Sequence, residues 1–401
     1  MNKDWTIEDS LKLYNIDNWG SGYFTISKNG NLSVKVDQES PTIEIIQVIQ
    51  EMKLQNVKLP VVIRFHDILR SQVKKLNITF RDCISEANYN GEFQGVYPIK
   101  VNQMREVVEE IIDAGEEYNY GLEAGSKPEL LAVLAYNTNI NALTILNGYK
   151  DEDYLRLALL GTKLGRKIII VIEKFSELPK LLKLSKEMNV TPLIGLRGKM
   201  SIKSRGKWAA SSGDRAKFGL STSEIINAVD LMKKNQLESS IKLFHFHIGS
   251  QVSDIKTIKA SINEGARIYT ELRRLGCPVE YFDVGGGLGI DYDGTRSTSD
   301  SSVNYSLNEY VADIIYGLKQ ICDLDNIPHP NIVTESGRAI TAHHSCVITN
   351  VIDEITVNKS KFQIEAIPSE HIIIKNIRDL LTIKIYEDNY QEIFNDAKQL
   401  K

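Results

Sequence analysis

The chain has 401 residues, a formal net charge of −4, 42% hydrophobic and 25% charged residues. That length allows two or three domains, or one barrel with additions, and the composition is that of a globular protein rather than a disordered one. The mild acidity gives no reason to expect nucleic acid or an anionic membrane as partner, and the four cysteines, Cys83, Cys277, Cys322 and Cys346, are too widely spaced for a disulfide framework or a zinc site.

Met1-Asn2-Lys3-Asp4-Trp5 has no apolar stretch of the secretory kind, and the longest apolar runs, 130–136 and 168–172, are too short to span a bilayer. The cytosol is the expected compartment. Tyr23-Phe24-Thr25-Ile26 and Leu32-Ser33-Val34-Lys35-Val36 alternate on either side of Lys28-Asn29-Gly30-Asn31, which predicts a hairpin. A helix is expected over 41–53, a lead-in strand over 61–65 and a helix over 68–76. From about 91 to 346 the pattern becomes rhythmic. Strand-like runs fall at 92–99, 118–122, 142–146, 167–172, 191–196, 242–246, 279–284 and 331–334, several of them apolar nearly throughout, as strands covered on both faces are. Between them lie stretches with helical spacing, such as Val107, Ile111 and Ile112, then Ile225, Ile226, Val229 and Met232, then Ile262, Ile268 and Leu272. Eight strand–helix units predict an α/β fold with a closed (β/α)8 barrel; an open doubly wound sheet is the alternative. Residues 294–304, rich in Ser, Thr and Asp, read as an exposed loop. Residues 345–357 alternate again, and from 369 the chain turns helical and amphipathic.

A barrel of this kind carries its active site at the carboxyl ends of the strands. Those ends hold Lys100, Glu123, Asn147 to Lys150, Glu173 and Lys174, Arg197, His245 and His247, Asp283 to Gly289, and Glu335 to Arg338. Gly285-Gly286-Gly287 follows a strand, so backbone N–H groups can approach a phosphate there; a plain tight turn is the other reading. Lys100 ends an apolar strand, where desolvation would lower its pKa and make a nucleophilic amine; a lysine snorkelling to the rim reads the same way. Glu335 and Arg338 could face a ring nitrogen and a phosphate, or merely pair with each other. His247 could stack on an aromatic cofactor or sit satisfied in the core, and His245, deeper on the same face, reads as structural. There is no GxSxG, P-loop or HExxH motif, adjacent His343 and His344 have poor metal spacing, and Gly285 to Gly289 lacks a full dinucleotide-loop pattern.

Together these residues resemble the pyridoxal phosphate (PLP) enzymes of fold type III, and within them the biosynthetic arginine decarboxylase family. The resemblance rests on Tyr97-Pro98-Ile99-Lys100-Val101-Asn102-Gln103, on Gly206-Lys207-Trp208 with Ser211-Ser212-Gly213 and Lys217-Phe218-Gly219-Leu220, on 244–251, on 282–289 and on Glu335-Ser336-Gly337-Arg338. It implies Lys100 as the Schiff-base lysine and His247 stacked on the pyridine ring. It implies Ser250, Gly285, Gly286, Gly287, Gly337 and Arg338 around the phosphate, Glu335 against the pyridine nitrogen, and Glu123 and Arg197 in support of the cofactor. The stretch Phe282, Asp283, Val284, Gly285, Gly286, Gly287, Leu288, Gly289, Ile290, Asp291 and Tyr292 matches a region associated with substrate binding.

The implied reaction is decarboxylation of L-arginine to agmatine in polyamine biosynthesis, by a dimer-based homo-oligomer, either a dimer or a tetramer. Mg2+ is associated with the family, although no ligand cluster for it stands out in the sequence. The implied organisation is 1–60 as an N-terminal segment of a β-domain, 61–345 as the PLP barrel, 346–368 as the start of the C-terminal β-domain, and 369–401 as the start of a helical insertion. The family is longer, and its remaining part carries a Cys-Asp loop and the acidic reader of the substrate's cationic end. The expectation is therefore a cofactor half-site with impaired turnover. An inactive homologue regulating a full-length partner by mixed dimerisation, or another fold type III enzyme such as a diaminopimelate decarboxylase, is the alternative.

Overall fold

The computed structural model describes residues 5–201, 217–355, 368–386 and 388–401, and the chain divides into two compact units at Thr349. The first unit opens with α1 (Ile7–Tyr14), where Thr6 and Asp9 exchange the reciprocal bonds of a capping box, followed by the short α2 (Ile16–Trp19). The expected hairpin forms from β1 (Phe24–Ile26) and β2 (Leu32–Val34), and β2 also pairs with β3 (Ile43–Glu44). Glu44 accepts amide hydrogen bonds from Asn29 and Asn31, tying the hairpin loop to this third strand. Because 43–44 is taken into the sheet, the helix expected from residue 41 begins only as α3 (Ile45–Leu54). After β4 (Val61–Arg64), α4 (His66–Glu86) runs well beyond 68–76, since Val73, Leu76 and Phe80 continue one buried stripe.

The strand–helix rhythm then follows: β5 (Phe93–Pro98), α5 (Arg105–Gly115), β6 (Gly121–Ala124), α6 (Lys127–Tyr136), β7 (Leu143–Leu146), α7 (Glu152–Lys163), β8 (Lys167–Ile172), α8 (Glu177–Met188), β9 (Leu193–Arg197), α9 (Thr222–Lys234), β10 (Ile241–His245), α10 (Ile255–Arg274), β11 (Tyr281–Asp283), α11 (Leu307–Asp325), β12 (Asn331–Thr334) and the short α12 (Arg338–Thr341). The eight strands β5 to β12 are parallel and close on themselves, with β12 beside β5 and β9 beside β10, so the closed barrel is the architecture and the open sheet is not. Val96, Leu143, Ile145, Ile169, Val171, Leu243 and Val333 fill the barrel interior, while the alternate residues Ile168, Ile170 and Ile172 face the helices. Both faces of each strand are thus apolar, which is why β8 reads as an unbroken hydrophobic run. Finally β13 (Ser345–Ile348) pairs antiparallel with β4.

The second unit holds α13 (Ile372–Thr382) and α14 (Tyr390–Leu400), with Ile372, Leu381 and Phe394 exposed. Among the described residues no helix is long and apolar enough to cross a membrane.

Candidate active site

Each of the eight barrel strands delivers a polar side chain at or just past its carboxyl end: Lys100, Glu123, Asn147, Glu173, Arg197, His245, Asp283 and Glu335, in strand order. A cavity of about 1010 Å³ opens above them. Its lining includes Lys100, Arg197, Lys217, Phe218, His247, Ser250, Gly286, Gly287, Leu288, Tyr292, Glu335, Gly337 and Arg338. The excess of cations suits an anionic, phosphate-bearing occupant.

Lys100 sits in a 3-10 turn, Ile99–Val101, directly after β5. Its Nζ lies 3.2 Å from Oε2 of fully buried Glu123. Burial pulls the Lys100 ammonium down, but attraction to Glu123, Glu335 and Glu129 outweighs it and holds the pKa above its ordinary value. This corrects the expectation of a lysine neutralised by desolvation: Lys100 stands as an ammonium paired with a carboxylate. The lysine that burial does depress is Lys150, which is 1% exposed, with Nζ 4.0 Å from Glu173 and 3.7 Å from Glu177, and donating to the Gly148 carbonyl at 2.8 Å. Glu173 in turn binds the Arg197 guanidinium. Burial raises the Glu173 carboxyl, yet Lys150 and Arg197 together carry it below its usual range. Arg197 therefore stands at the cavity wall on a buried ionic footing.

His247 accepts the Gly249 N–H on Nδ1 at 3.1 Å, which leaves its Nε2 to carry the ring proton. Burial, with Arg197, His245 and Lys100 nearby, pushes its pKa well down, so the ring is neutral. Gly286 lies against this imidazole: a Cβ there would come 3.3 Å from His247 Nε2 and 3.2 Å from the Glu335 carbonyl oxygen. Gly285 has a φ of +68°, and a Cβ would meet the Phe246 carbonyl at 2.6 Å, so only glycine fits. The glycine turn is splinted by Gln251, whose amide donates to the Ile290 carbonyl at 2.6 Å and accepts the Ile290 N–H at 2.9 Å. Across the cavity Arg338 donates to Tyr292 Oη at 2.9 Å and to Ser250 Oγ at 3.1 Å.

Beneath the cavity, Asn147 Nδ2 donates to Glu335 Oε1 at 2.7 Å and to Glu123 Oε1 at 3.1 Å. His245 Nδ1 lies 2.9 Å from Asp283 Oδ2 and 3.9 Å from Glu335 Oε1. Burial pushes the Asp283 and Glu335 carboxyls up, to about 7 and about 8, and drives His245 down to about 4.

The structure thus brings Lys100, Glu123, Arg197, His247, Ser250, Gly286, Gly287, Glu335, Gly337 and Arg338 to one place. The segment expected to meet substrate divides. Gly286, Gly287, Leu288 and Tyr292 line the cavity, whereas Gly289, Ile290 and Asp291 line a neighbouring one of about 580 Å³. Phe282 and Val284 are core instead, and Phe282 packs edge-on against Phe246 and Tyr269, out of reach of a ligand. Asp283 is buried under the cavity. Residues 206–208 and 211–213 lie outside the described residues. Lys150, Glu173 and Asn147 stood on the strand ends with no role attached; the signal available was a polar residue closing an apolar run.

One group of potential metal ligands occurs among the described residues, His245, Asp283 and Glu335. It does not fit Mg2+, which takes oxygen ligands in octahedral array and keeps several waters: one of the three donors is a nitrogen, and all three residues are buried. Adjacent His343 and His344 diverge, His343 toward Ser21 and the Trp19 carbonyl, His344 onto the Thr341 carbonyl.

PLP, by contrast, fits. A glycine cradle that a Cβ would fill, an orphaned buried Arg338 Nε, and a lysine at the mouth match an anionic aromatic aldehyde. Residues 72–342 match the family described as "Pyridoxal-dependent decarboxylase, pyridoxal binding domain", and the chain belongs to that family. Within it, the chain is 45% identical over 400 residues to a biosynthetic arginine decarboxylase of Bacteroides thetaiotaomicron, covering 100% of this chain and 63% of that protein. A second, from Prochlorococcus marinus, is 46% identical over 405 residues, covering 99% and 62%. The crystal structure of the biosynthetic arginine decarboxylase of Campylobacter jejuni superposes with a TM-score of 0.78 at 33% identity, over 96% of this chain and 63% of that one. A diaminopimelate decarboxylase from Helicobacter pylori, at 22% identity and a TM-score of 0.60, shares the fold. The chain spans somewhat under two thirds of the length of these arginine decarboxylases.

Proposed function

We propose that this chain forms the cofactor-holding part of a PLP-dependent arginine decarboxylase converting L-arginine to agmatine and CO2 in polyamine biosynthesis. The observation that carries the reading is the cation-lined cavity with Lys100, His247, the glycine cradle and Glu335 on one barrel rim, in a chain 45% identical to an arginine decarboxylase along its length.

PLP supplies an electron sink for the electrons released when CO2 departs. The protein's part is to hold and orient. Lys100 provides the amine that joins the cofactor aldehyde, and Glu123 accepts its proton and keeps its Nζ in place. The Gly286 and Gly287 backbone, Ser250 and Arg338 would hold the phosphate, to which the Arg338 guanidinium would supply charge-assisted hydrogen bonds. His247, neutral, would pack against the ring without repelling a cationic nitrogen. Glu335 faces that nitrogen as its carboxylate, with Asn147 fixing the oxygen. Arg197 supports the cofactor from the opposite wall.

Among the described cavity-lining residues Glu335 is the one acid, and it is committed to the ring nitrogen. We infer that the group reading the substrate guanidinium comes from outside this set, which favours a homo-oligomer, dimer-based, whose partner completes the site. Residues 1–60 and 346–368 are assigned to a second β-domain, on the support of the β1–β3 sheet for the first and of β13 pairing away from the barrel for the second, with 61–345, whose lead-in β4 takes that pairing, as the barrel and 369–401 as a helical insertion. The four free cysteines accord with a reducing, cytosolic setting.

The test is spectroscopic and chemical. PLP added to the chain should give a visible Schiff-base absorbance band that Lys100→Ala lacks, and any agmatine released should come from L-arginine and not be matched by product from diaminopimelate. An unchanged spectrum in Lys100→Ala refutes the cofactor assignment; turnover of diaminopimelate in preference to arginine refutes the substrate.

A further inference from the structure

Three carboxylates, Glu123, Asp283 and Glu335, converge beneath the cavity, and the cations nearby are already engaged. Lys100 lies against Glu123 and Arg197 binds Glu173. Asp283 and Glu335 are left with His245 and with the Asn147 amide. Asp283 and His245 are fully buried and Glu335 is 4% exposed, so water does not screen them.

If His245 were charged it could balance one of the two carboxylates. Its Nε2, however, is buried with no hydrogen-bond partner among the described residues, and an imidazolium N–H left bare in the core is strongly disfavoured. His245 is therefore neutral. Two adjacent carboxylates in a dry site with no cation of their own cannot both ionise, and one proton must stay with the pair. One side-chain atom each of His245, Asp283 and Glu335 lies within 4.8 Å of the other two, and the Gly285 N–H holds Asp283 Oδ1 at 2.8 Å.

We propose that Asp283 and Glu335 form a proton-sharing carboxyl pair steadied by neutral His245, in which Asp283 takes the proton once a positively charged ring nitrogen faces Glu335, so that Glu335 meets that nitrogen as a carboxylate. Asp283 and His245 are then positioning residues for Glu335. The groups facing Glu335 are Asp283 from β11, His245 from β10, Glu123 from β6, Lys100 from the turn after β5 and Asn147 from the end of β7; Arg197 on β9 acts on Asp283 and His245. Both carboxyls are raised and the imidazole is depressed, so one proton stays with the pair; it rests on Glu335, the higher of the two, until a ring nitrogen faces that carboxyl. With one proton the pair carries one negative charge, which a pyridinium cancels, so no proton has to enter or leave the interior as the cofactor seats.

This inference rests on PLP as cofactor and not on arginine as substrate. Infrared spectra of the cofactor-free chain at neutral pH should show a protonated, slowly exchanging carboxyl band that disappears in Asp283→Asn. Its absence from the wild-type chain overturns the proposal without any variant. Titration of cofactor-free protein with PLP gives the second readout. Asp283→Asn, a neutral group of the same shape, should keep affinity within about threefold at neutral pH, while Asp283→Ala should lose at least about tenfold. Equal loss in both would mean that Asp283 works ionised, and overturns the pair. A wild-type chain that binds no PLP refutes the cofactor reading instead, and the infrared band then decides the pair alone.

Discussion

Lys150→Met tests the ionic footing under Arg197. The side chain is 1% exposed and its nearest acids, Glu173 and Glu177, are 2% and 3% exposed. Met fills a similar volume, so the loss is chiefly of charge. Breaking a buried pair by removing one partner typically costs about 3–5 kcal/mol, because the other charge stays behind unpaired. Arg197 still neutralises Glu173, which favours the lower end. At about 2.1 cal/mol/K per residue, a unit of this size unfolds with an entropy of about 0.7 kcal/mol/K, so a 3–4 kcal/mol loss lowers Tm by about 4–6 °C. The effect also carries a pH signature. In the wild type the Glu173 carboxyl lies below its ordinary value, so its pairing stabilises the fold above that value and is lost as pH falls through the depressed one. Without Lys150 the same carboxyl rises, and the variant regains ground on the wild type as it protonates. Urea unfolding of both proteins across mildly acidic to neutral pH measures this. A deficit under about 1 kcal/mol, or one that stays constant across the series, refutes the reasoning.

Three further outcomes follow from the same geometry. Gly286→Ala places a methyl between His247 and the Glu335 backbone, so PLP affinity should drop at least about tenfold while Tm moves by no more than about 2 °C; titration and calorimetry together check this. Asn147→Leu strips two buried carboxylates of charge-assisted donors, with an expected loss of about 2–4 kcal/mol in chemical denaturation at neutral pH. His245, at about 4 in the folded chain against an ordinary 6.5, stabilises the fold fully above about 6.5 and progressively less as pH falls toward 4, a total of about 3 kcal/mol. His245→Gln should flatten that acid slope, and an identical slope in wild type and variant would count against a neutral buried imidazole.

What the sequence discloses depends on how locally a feature is determined. β8 coincides with the expected 167–172, because five consecutive apolar residues flanked by Lys167 and Glu173 leave no other choice. β6 was expected over 118–122 and lies at Gly121–Ala124: Asn119 takes a left-handed φ of 51°, and the aromatics Tyr118 and Tyr120 pack in the core around that turn. Glu123 extends the strand although it is charged, since its partner Lys100 comes from the neighbouring strand. Lys100, the glycine turn and Glu335 to Arg338 were legible as motifs. The Asp283–His245 contact, the Asn147 bridge and the Lys150 footing were not, because each joins residues whose neighbourhood exists only once the barrel closes. The charge state of Lys100 was not legible either, since it depends on carboxylates brought from β6, from the end of β12 and from α6.

The one-residue-per-strand make-up of the site has a bearing on how its assembly can be watched. No contiguous stretch of the barrel carries more than a share of the pocket, so a cofactor that colours on binding reports at once on Lys100, Arg197 and Glu335, three cavity-lining groups from strands far apart in sequence. In refolding or limited proteolysis, the appearance of the PLP band should therefore lag behind secondary structure and mark the moment at which the ring is sealed between β9 and β10 and between β12 and β5.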